Sequence, residues 1–296
     1  MKIALIHDVK LPVATYGGTE RVIWWLSKGL NELGNSVTLV CRPGSTSPYA
    51  KIFNPAPGDL ESQLPDVDVF HYFLTPEKMP TRPYLVSIGG NGKPGEIFLP
   101  NTVFVSRDHA ARHHSQSFVY NGVDPDEYIY RERKSASLLF LAKASWKVKN
   151  VKGAIRIAKR AKRDLHILGG SKRFLNHWRG IHWEGMLGGK PKAEFLANAA
   201  ALLWPILWEE PFGLAVVEAF MSGTPVLANR RGSVPEMIPP ACGAICESED
   251  DYAVALENLA QFRAKDCRDW AVSRFHYRKM AENYGKFYAQ VTGSGA

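Results

Sequence analysis

Short apolar runs that alternate with amphipathic helical segments constrain the fold of this chain more than any other feature. An apolar run at residues 2–6 leads through a glycine turn into a helical segment that stops at Gly34, and a second apolar run follows at 36–41. Three later runs, each short and bounded by turn residues, predict further parallel strands: VDVFHYF, YLVSI and TVFVS. This order predicts an α/β fold that opens with a doubly wound parallel sheet.

A second alternation occupies the rest of the chain. It starts with the apolar run LLFLA, continues with a basic helix at 151–163 and contains a helix around KAEFLANAA. The other predicted strands are DLHILGG, IHWEGM, ALLWPI and PVLAN, and the segments 250–262 and 270–291 are predicted to be helical. The pattern predicts a second Rossmann-like half. Its boundary lies near FVYNGVD, where Asn121 and Gly122 suit a turn with positive backbone angles.

Composition restricts the class of protein. An apolar fraction of 45% is typical of a globular protein, and no run reaches the roughly 20 apolar residues that span a bilayer. The first apolar run is too short for a signal peptide, so a cytoplasmic location is expected. The four cysteines lack zinc-site spacing and are too few for a disulfide framework, which predicts reduced thiols. A formal charge of +8 favours an anionic partner such as a nucleoside diphosphate, an anionic lipid or a nucleic acid.

The segment WEEPFGLAVVE, residues 208–218, places two carboxylates around the expected start of a helix. A helix that begins near residue 212 aims three free backbone N–H groups outward, and such an end attracts phosphate; they belong to Phe212, Gly213 and Leu214. Glu218 lies about two turns up this helix, roughly 9 Å along its axis, where it can accept hydrogen bonds from a ribose. Glu210, at the mouth, can hold the hydroxyls of a sugar.

The alternative interpretation makes Glu210 a helix cap and Glu218 a solvated helix residue. The surroundings favour a site, because the segment follows the predicted strand ALLWPI and open α/β sheets bind ligands at the carboxyl ends of their strands. Carboxylates that flank an anion site indicate a ligand with hydroxyls at both ends. A nucleotide-sugar is such a ligand.

One segment of the second half resembles the donor-site signature of family 4 glycosyltransferases, and its residues are most similar to those of bacterial members. The segment reads ALLWPILWEEPFGLAVVEAFMSGTPVLANRRGSVPEMI. The resemblance implies the GT-B fold, in which two Rossmann-like domains face each other across a cleft. It also implies metal-independent, retaining hexosyl or pentosyl transfer without a cofactor, with a UDP- or GDP-sugar as co-substrate. In such transfer, an oxygen of the leaving phosphate takes the acceptor's proton, so no separate base is required.

By the same resemblance, residues 1–123 form the acceptor-side domain and 124–274 the donor domain. The segment 275–291 forms a final helix that crosses back to the first domain. Five aromatic residues in this region suit such docking: Phe275, Tyr277, Tyr284, Phe287 and Tyr288. The acceptor itself stays open between a small molecule, a glycan and a lipid-linked molecule.

Two lysines match family positions that stabilise the leaving diphosphate. Lys143 follows LLFLA where relatives have arginine, and Lys149 lies in the loop before the basic helix. A lysine at position 143 keeps the charge but loses the bidentate fork of arginine. Asn150 replaces the usual glycine, a mild change because asparagine tolerates the left-handed conformation. The alternative is that both lysines belong to a solvated basic face.

Two glycine positions bear on ligand binding. Gly17 and Gly18 resemble the family's loop that closes on donor phosphates and acceptor, although Thr19 could be a simple helix cap. Gly89 stands where relatives have a histidine that contacts the transferred sugar. Asn91 or Lys93 compensates, or sugar binding is altered, or catalysis is poor.

No metal is expected. His109 and His113 have metal-ligand spacing but lack an acidic third ligand. For the missing sugar contact, the histidines stay open as candidates, although a lone histidine is more often structural; they are His71, His109, His113 and His114. Asp66 and Asp68 form an Asp-x-Asp triplet that leads into an apolar strand, which favours a strand start over a metal site.

Three other functions stay open. The nine basic residues between Lys143 and Arg163 are compatible with a DNA-modifying, phage-like glycosyltransferase. Trp24, Trp25 and Arg112 could contact a membrane to reach a lipid-linked acceptor. The departures at Gly89 and Lys143 are also compatible with a degenerate nucleotide-sugar-binding protein without turnover.

Overall fold

The computed structural model describes residues 1–15, 17–93, 95–170 and 179–293. The chain divides into two compact units. The first unit comprises Met1–Val13, Gly17–Val123 and Phe275–Ala296. The second unit comprises Ala14–Tyr16 and Asp124–Arg274.

The first unit contains a six-stranded parallel sheet. Its strands are β1 (Lys2–Ile6), β2 (Ser36–Val40), β3 (Lys51–Phe53), β4 (Val69–Tyr72), β5 (Tyr84–Ile88) and β6 (Thr102–Phe104). Their order across the sheet is β3-β2-β1-β4-β5-β6, the order of a Rossmann-like doubly wound sheet. Every residue of β5 is buried, as expected for an inner parallel strand with both faces covered.

Four α-helices belong mainly to this unit: α1 (Gly18–Glu32), α2 (Leu60–Gln63), α3 (Arg107–Arg112) and α10 (Tyr277–Thr292), the last at the end of the chain. Helix α10 packs on α1, where a β-carbon added at Gly29 would lie 2.8 Å from that of Ala281. It also reaches the sheet, because Tyr284 lies 2.8 Å from the Ser87 hydroxyl and Tyr288 lies 2.7 Å from Nδ1 of His71.

The second unit repeats the architecture. Its strands are β7 (Leu138–Leu141), β8 (Leu165–Leu168), β9 (Ile181–Gly185), β10 (Ala201–Trp204), β11 (Val226–Asn229) and β12 (Gly243–Cys246). They are parallel and ordered β12-β11-β10-β7-β8-β9, which is the order of the first sheet with its own numbering. The expectation of two Rossmann-like halves is confirmed.

The remaining helices are α4 (Val151–Arg160), α5 (Gly189–Asn198), α6 (Leu214–Met221), α7 (Val234–Met237), α8 (Glu249–Glu257) and α9 (Ala264–Phe275). Apolar residues of α4 and α8 pack with β7, β8 and β10 in one core. Helices α5 and α6 are fastened at their carboxyl ends by Lys134. Its ammonium group donates to the carbonyls of Ala197 and Ser222 and to the hydroxyl of Thr224, at 2.8–3.0 Å.

Several local expectations are corrected. Neither Asn121 nor Gly122 has a positive φ angle. Gly122 instead allows close contact, since a β-carbon there would lie 2.6 Å from Cα of Tyr277. The helical segment 270–291 is interrupted at His276, whose Nδ1 accepts a hydrogen bond from the Arg278 amide and caps α10. The basic helix ends at Arg160, three residues earlier than predicted.

Candidate functional site

The predicted acidic and basic residues of the second unit gather where its strand order reverses. Strands β7 and β10 are neighbours in the sheet but not in the chain, which makes their carboxyl ends the topological switch point. Lys143 follows the end of β7, and Trp208 and Glu210 follow the end of β10. Doubly wound sheets bind ligands in the crevice at this point.

Helix α6 starts at Leu214, two residues later than predicted. The reason is Gly213, which has φ 91° and ψ 59°, a left-handed conformation that cannot continue a right-handed helix. Phe212 therefore lies in the preceding turn and is buried. Glu218 is the fifth residue of the helix, so it lies about one turn rather than two from the start.

The carboxylate of Glu210 is buried and holds two hydrogen-bond donors on the same oxygen. Lys149 Nζ and Trp208 Nε1 each lie 2.7 Å from Oε2. The Glu210 residue is 8% exposed and Lys149 9%, so the ion pair is largely withdrawn from water. Because the ammonium carries three protons and this bond uses one, Lys149 can also donate to a bound anion.

The local backbone places Lys149 for this contact. It ends a 3-10 turn at Lys147–Lys149, and Asn150 follows in the left-handed region with φ 55° and ψ 46°. The Asn150 side chain accepts from the Gly153 amide, which caps α4, and donates to the Pro205 carbonyl after β10. The expectation that asparagine can replace glycine at position 150 agrees with this geometry.

The carboxylate of Glu218 has a similar environment. Lys192 Nζ lies 2.8 Å from Oε1, and the Tyr128 hydroxyl donates to the same oxygen at 2.9 Å. Glu218 is 3% exposed and Lys192 7% exposed. The alternative of a solvated helix residue is excluded for Glu218.

Lys143 is linked to this cluster through aromatic rings. Its Nζ lies 4.9 Å from the ring centre of Trp146, whose ring meets that of Trp208 edge to face at 6.3 Å. Trp208 in turn lies 4.1 Å from Nζ of Lys149. The structure thus brings Lys143, Lys149 and Glu210 together through two tryptophans.

Sequence reasoning missed three residues of this site: Tyr128, Lys192 and Trp208. A lysine in the first turns of an amphipathic helix is normally solvated, and Tyr128 is 90 positions from its partner. Trp208 was part of the motif, but only its proximity to Glu210 in sequence could have indicated a contact.

Gly17 and Gly18 belong to the first unit. Gly17 has φ 147°, and a β-carbon there would lie 2.8 Å from a carboxylate oxygen of Glu20, so the position requires glycine. Gly17 is the cap position of α1 and Thr19 lies inside the helix, so Thr19 does not cap it. Among the described residues, an added β-carbon at Gly89 would come within 4 Å of Thr19 only, whose hydroxyl lies at 3.5 Å.

Two of the candidate histidines, His71 and His109, are buried in the interior of the first unit. His71 is fully buried between Tyr288 and Ser87, and burial lowers its pKa to about 3. His109 is also fully buried, and burial first, then the charge of Arg112, lowers its pKa to about 3. Asp68 accepts from the Lys2 amide beside the start of β4. Across the described ranges, no three acidic, histidine or cysteine side chains are grouped as metal ligands.

Several of the basic and aromatic residues considered for other partners make contacts within the protein instead. On α4, Arg156 pairs with Glu249 and Arg160 with Asp250. Trp25 is buried in the core of the first unit, and Trp24 meets Tyr49 edge to face. Among the residues that the structure describes, no helix is both long and apolar enough to cross a bilayer. All four cysteines are buried, free thiols, as predicted.

Comparisons with known proteins find similar sequences for part of this chain. Residues 135–261 match the family model described as "Glycosyl transferases group 1". N-acetyl-alpha-D-glucosaminyl L-malate synthase of Bacillus anthracis is 25% identical over 202 residues, which cover 58% of this chain and 53% of that enzyme. The matches to curated relatives span between 14% and 53% of their lengths.

Solved structures match the whole chain. AviGT4, a glycosyltransferase involved in avilamycin A biosynthesis, superposes with a TM-score of 0.84 at 25% identity, covering 100% of this chain and 98% of that one. HepE of Anabaena, solved in complex with UDP-glucose, shares the fold with a TM-score of 0.71 at 12% identity, covering 98% and 100%. The chain therefore has the GT-B fold of these glycosyltransferase structures, and its residues 135–261 are similar to the group 1 glycosyltransferase family.

Proposed function

We propose that this chain transfers a sugar from a nucleoside-diphosphate sugar to an acceptor, without a metal ion and with retention of the anomeric configuration. The observation that carries the proposal is the pair of buried carboxylates on either side of the start of α6, each held by a lysine. Glu210 has an oxygen without a hydrogen bond from the described residues, which can accept from a sugar hydroxyl. Glu218 is the candidate ligand for the ribose.

The charged groups suit the chemistry of the transfer. Cleavage of the anomeric bond passes through an oxocarbenium-like state while negative charge develops on the leaving diphosphate. Fixed cations and amide dipoles stabilise such charge best, because they need no reorganisation during the reaction. Lys143, Lys149 and the first amides of α6 supply these groups in the second unit. A leaving phosphate oxygen then receives the proton of the acceptor hydroxyl.

HepE is described as binding UDP and UDP-glucose, which supports a nucleotide-sugar donor for this chain. The base, the sugar and the acceptor are not specified by this likeness. Of the other functions considered, nucleic-acid binding is not favoured, because acidic partners on α8 pair with two arginines of the basic helix.

Thermal shift with UDP- and GDP-sugars tests the donor, since a bound ligand raises the melting temperature with its saturation. We expect at least one donor to bind, and Glu218→Gln to weaken it by about 10- to 100-fold, because a hydrogen bond to a charged group contributes about 1.5–3 kcal/mol. Glu247→Gln, which alters an exposed ion pair of the same unit, is the matched control. If none of the common donors binds the wild-type protein, the proposal is wrong.

Turnover tests the remaining steps. Transfer or slow hydrolysis of the bound donor should proceed in EDTA, and NMR of the first product formed should show the anomeric configuration of the donor. Inversion, or loss of activity with EDTA that a divalent ion restores, contradicts the mechanism. Binding without any transfer or hydrolysis favours a degenerate binder.

A further inference from the structure

The two carboxylates of the site are held in matching ways. In each, a single oxygen accepts from one lysine ammonium and from one aromatic side chain. For Glu210 the donors are Lys149 and the indole N–H of Trp208, both at 2.7 Å. For Glu218 they are Lys192 at 2.8 Å and the hydroxyl of Tyr128 at 2.9 Å. We call each set a clamp, the Glu210 clamp (Lys149 and Trp208) and the Glu218 clamp (Lys192 and Tyr128).

The donors of each clamp come from separate elements, so each carboxylate is fixed from two directions. Lys149 ends a 3-10 turn before α4, whereas Trp208 lies in the segment after β10. Lys192 is on α5, whereas Tyr128 follows a 3-10 turn at Pro125–Glu127. A carboxylate that accepts two bonds on one oxygen cannot rotate without breaking at least one of them.

The aromatic members also act on the lysines. Lys149 Nζ lies 4.1 Å from the ring centre of Trp208, within the range of a cation–π interaction, and Lys192 Nζ lies 5.9 Å from that of Tyr128. Each aromatic residue therefore contacts both partners of a buried ion pair. Loss of its polar hydrogen alone leaves the ring and the ion pair in place but frees the carboxylate to turn.

We infer that Trp208 and Tyr128 are positioning residues with separate tasks: Trp208 sets Glu210 for the sugar, and Tyr128 sets Glu218 for the ribose. This inference rests on the proposed function, because it assigns the two ends of a nucleotide-sugar to the two clamps. Its consequence is a separation of effects. A nucleoside diphosphate has the ribose but lacks the sugar, so the Glu210 carboxylate that Trp208 positions has no partner in it, although Lys149 can still contact the diphosphate. Both carboxylates act on a nucleotide-sugar.

Isothermal calorimetry of Trp208→Phe and Tyr128→Phe measures this separation, with UDP and GDP compared with UDP-glucose and GDP-mannose. Trp208→Phe should keep the Kd of the diphosphate within about twofold and raise that of the nucleotide-sugar about tenfold, the effect of losing roughly one hydrogen bond to a charged group. Tyr128→Phe should raise both Kd values by a similar factor. With the accepted donor, Trp208→Phe should also lower kcat/KM by at least the factor lost in sugar-dependent binding.

Matched controls remove the same polar hydrogens elsewhere in the second unit. Trp270→Phe deletes an indole N–H that donates to the Met237 carbonyl, and Tyr130→Phe deletes a hydroxyl that donates to Glu132. Both should leave all Kd values unchanged. If Trp208→Phe unfolds the protein, Trp208→His and Trp208→Leu are compared instead. Histidine has a ring N–H that can donate a hydrogen bond and leucine has none, so the histidine variant should bind the nucleotide-sugar with an affinity closer to that of the wild type.

The outcomes distinguish the two levels of inference. Equal changes for diphosphate and nucleotide-sugar in Trp208→Phe, or no change in either, overturn the assigned task of Trp208 while the proposed function stands. An effect of Tyr128→Phe on the nucleotide-sugar alone overturns the task of Tyr128. Failure of wild-type protein to bind any of the four ligands overturns the proposed function and the inference with it.

Discussion

The two units have the same sheet order, but a group of buried polar side chains is neutral in the first unit and charged in the second. In the first unit, a neutral network of His71, Ser87, Tyr284 and Tyr288 lies in the middle of β4 and β5 and fastens α10. Burial lowers the pKa of His71 to about 3 and raises that of Tyr284 to about 12, so both stay uncharged. In the second unit, the buried polar groups at the switch point include two ion pairs.

The difference indicates that the neutral network holds the first unit together, whereas the charged groups of the second unit are the candidates for binding a ligand. Both nitrogens of His71 have partners inside the protein, which leaves no capacity for a ligand. At the switch point, Lys149 and Trp208 both donate to one oxygen of Glu210, and its other oxygen accepts no hydrogen bond from the described residues. Buried charges are expensive to maintain, and such unfavourable groups concentrate at functional sites.

The largest expected effect is on the Glu210 pair. Lys149→Met leaves a buried carboxylate without its cation, which should lower the free energy of unfolding of the second unit by about 3–5 kcal/mol. The double variant Lys149→Met/Glu210→Gln should recover much of this loss, because the uncompensated charge is gone. Chemical denaturation measures both, with the exposed Lys152→Met as control. A loss below about 1 kcal/mol would show that water reaches the pair.

A smaller loss of stability is expected when the neutral network of the first unit is broken. Tyr288→Phe leaves Nδ1 of His71 buried without a partner, which should lower the free energy of unfolding of the first unit by about 1–3 kcal/mol. Tyr72→Phe is the control, because Tyr72 lies next to His71 on β4 and its hydroxyl has no hydrogen bond among the described residues. Donor binding by the second unit should be unaffected by either variant. Equal losses in both would contradict the role of the network.

Acidification should destabilise the first unit through its histidines. The folded pKa of His71, about 3, lies below the ordinary histidine value of about 6.5, so the unfolded chain binds more protons between these pH values. The free energy of unfolding should therefore fall as pH drops below 6.5, by about 2 kcal/mol per such histidine between pH 7 and pH 5. His71→Asn should reduce this slope, and the exposed His114→Asn should not. Denaturation curves at several pH values measure this slope for the wild-type protein and both variants.

The smallest effect is expected at Asn150. Asn150→Gly keeps the left-handed conformation but removes the cap of α4, which should destabilise the second unit by only a few tenths of a kcal/mol, about 0.3. Asn150→Ala loses the cap and strains the backbone, so it should lose more, about 1–2 kcal/mol. Thermal denaturation compares the two variants. If glycine were the more destabilising, the backbone would not be the reason for asparagine here.

The long, apolar strands of both sheets could be predicted from the sequence, and so could the two glutamates, because a single linear motif contains them. It did not predict β3 or β12. The three residues of β3 are at most half-buried, and those of β12 include glycine and lie at the edge of the sheet. Both therefore lack the continuous apolar run by which a buried strand is recognised.

The missed part of the site has a different physical reason. Lys192 and Tyr128 reach Glu218 from 26 and 90 positions away, through contacts that exist only once α5 and the Pro125–Glu127 turn have packed. Taken alone, each is an ordinary residue of its own segment. The helix start was predicted two residues early because a glycine is compatible with many backbone conformations, and only the structure shows that Gly213 is left-handed.

Lys134 ties the carboxyl ends of α5 and α6 to one ammonium group. These are the helices that carry Lys192 and Glu218. A displacement of either helix along its axis would strain the hydrogen bonds of Lys134 to the other helix, so we expect the two helices to move together. The stiffness of this helix pair, together with the hydrogen bonds from Lys192 and Tyr128, then limits how far the Glu218 carboxylate can move.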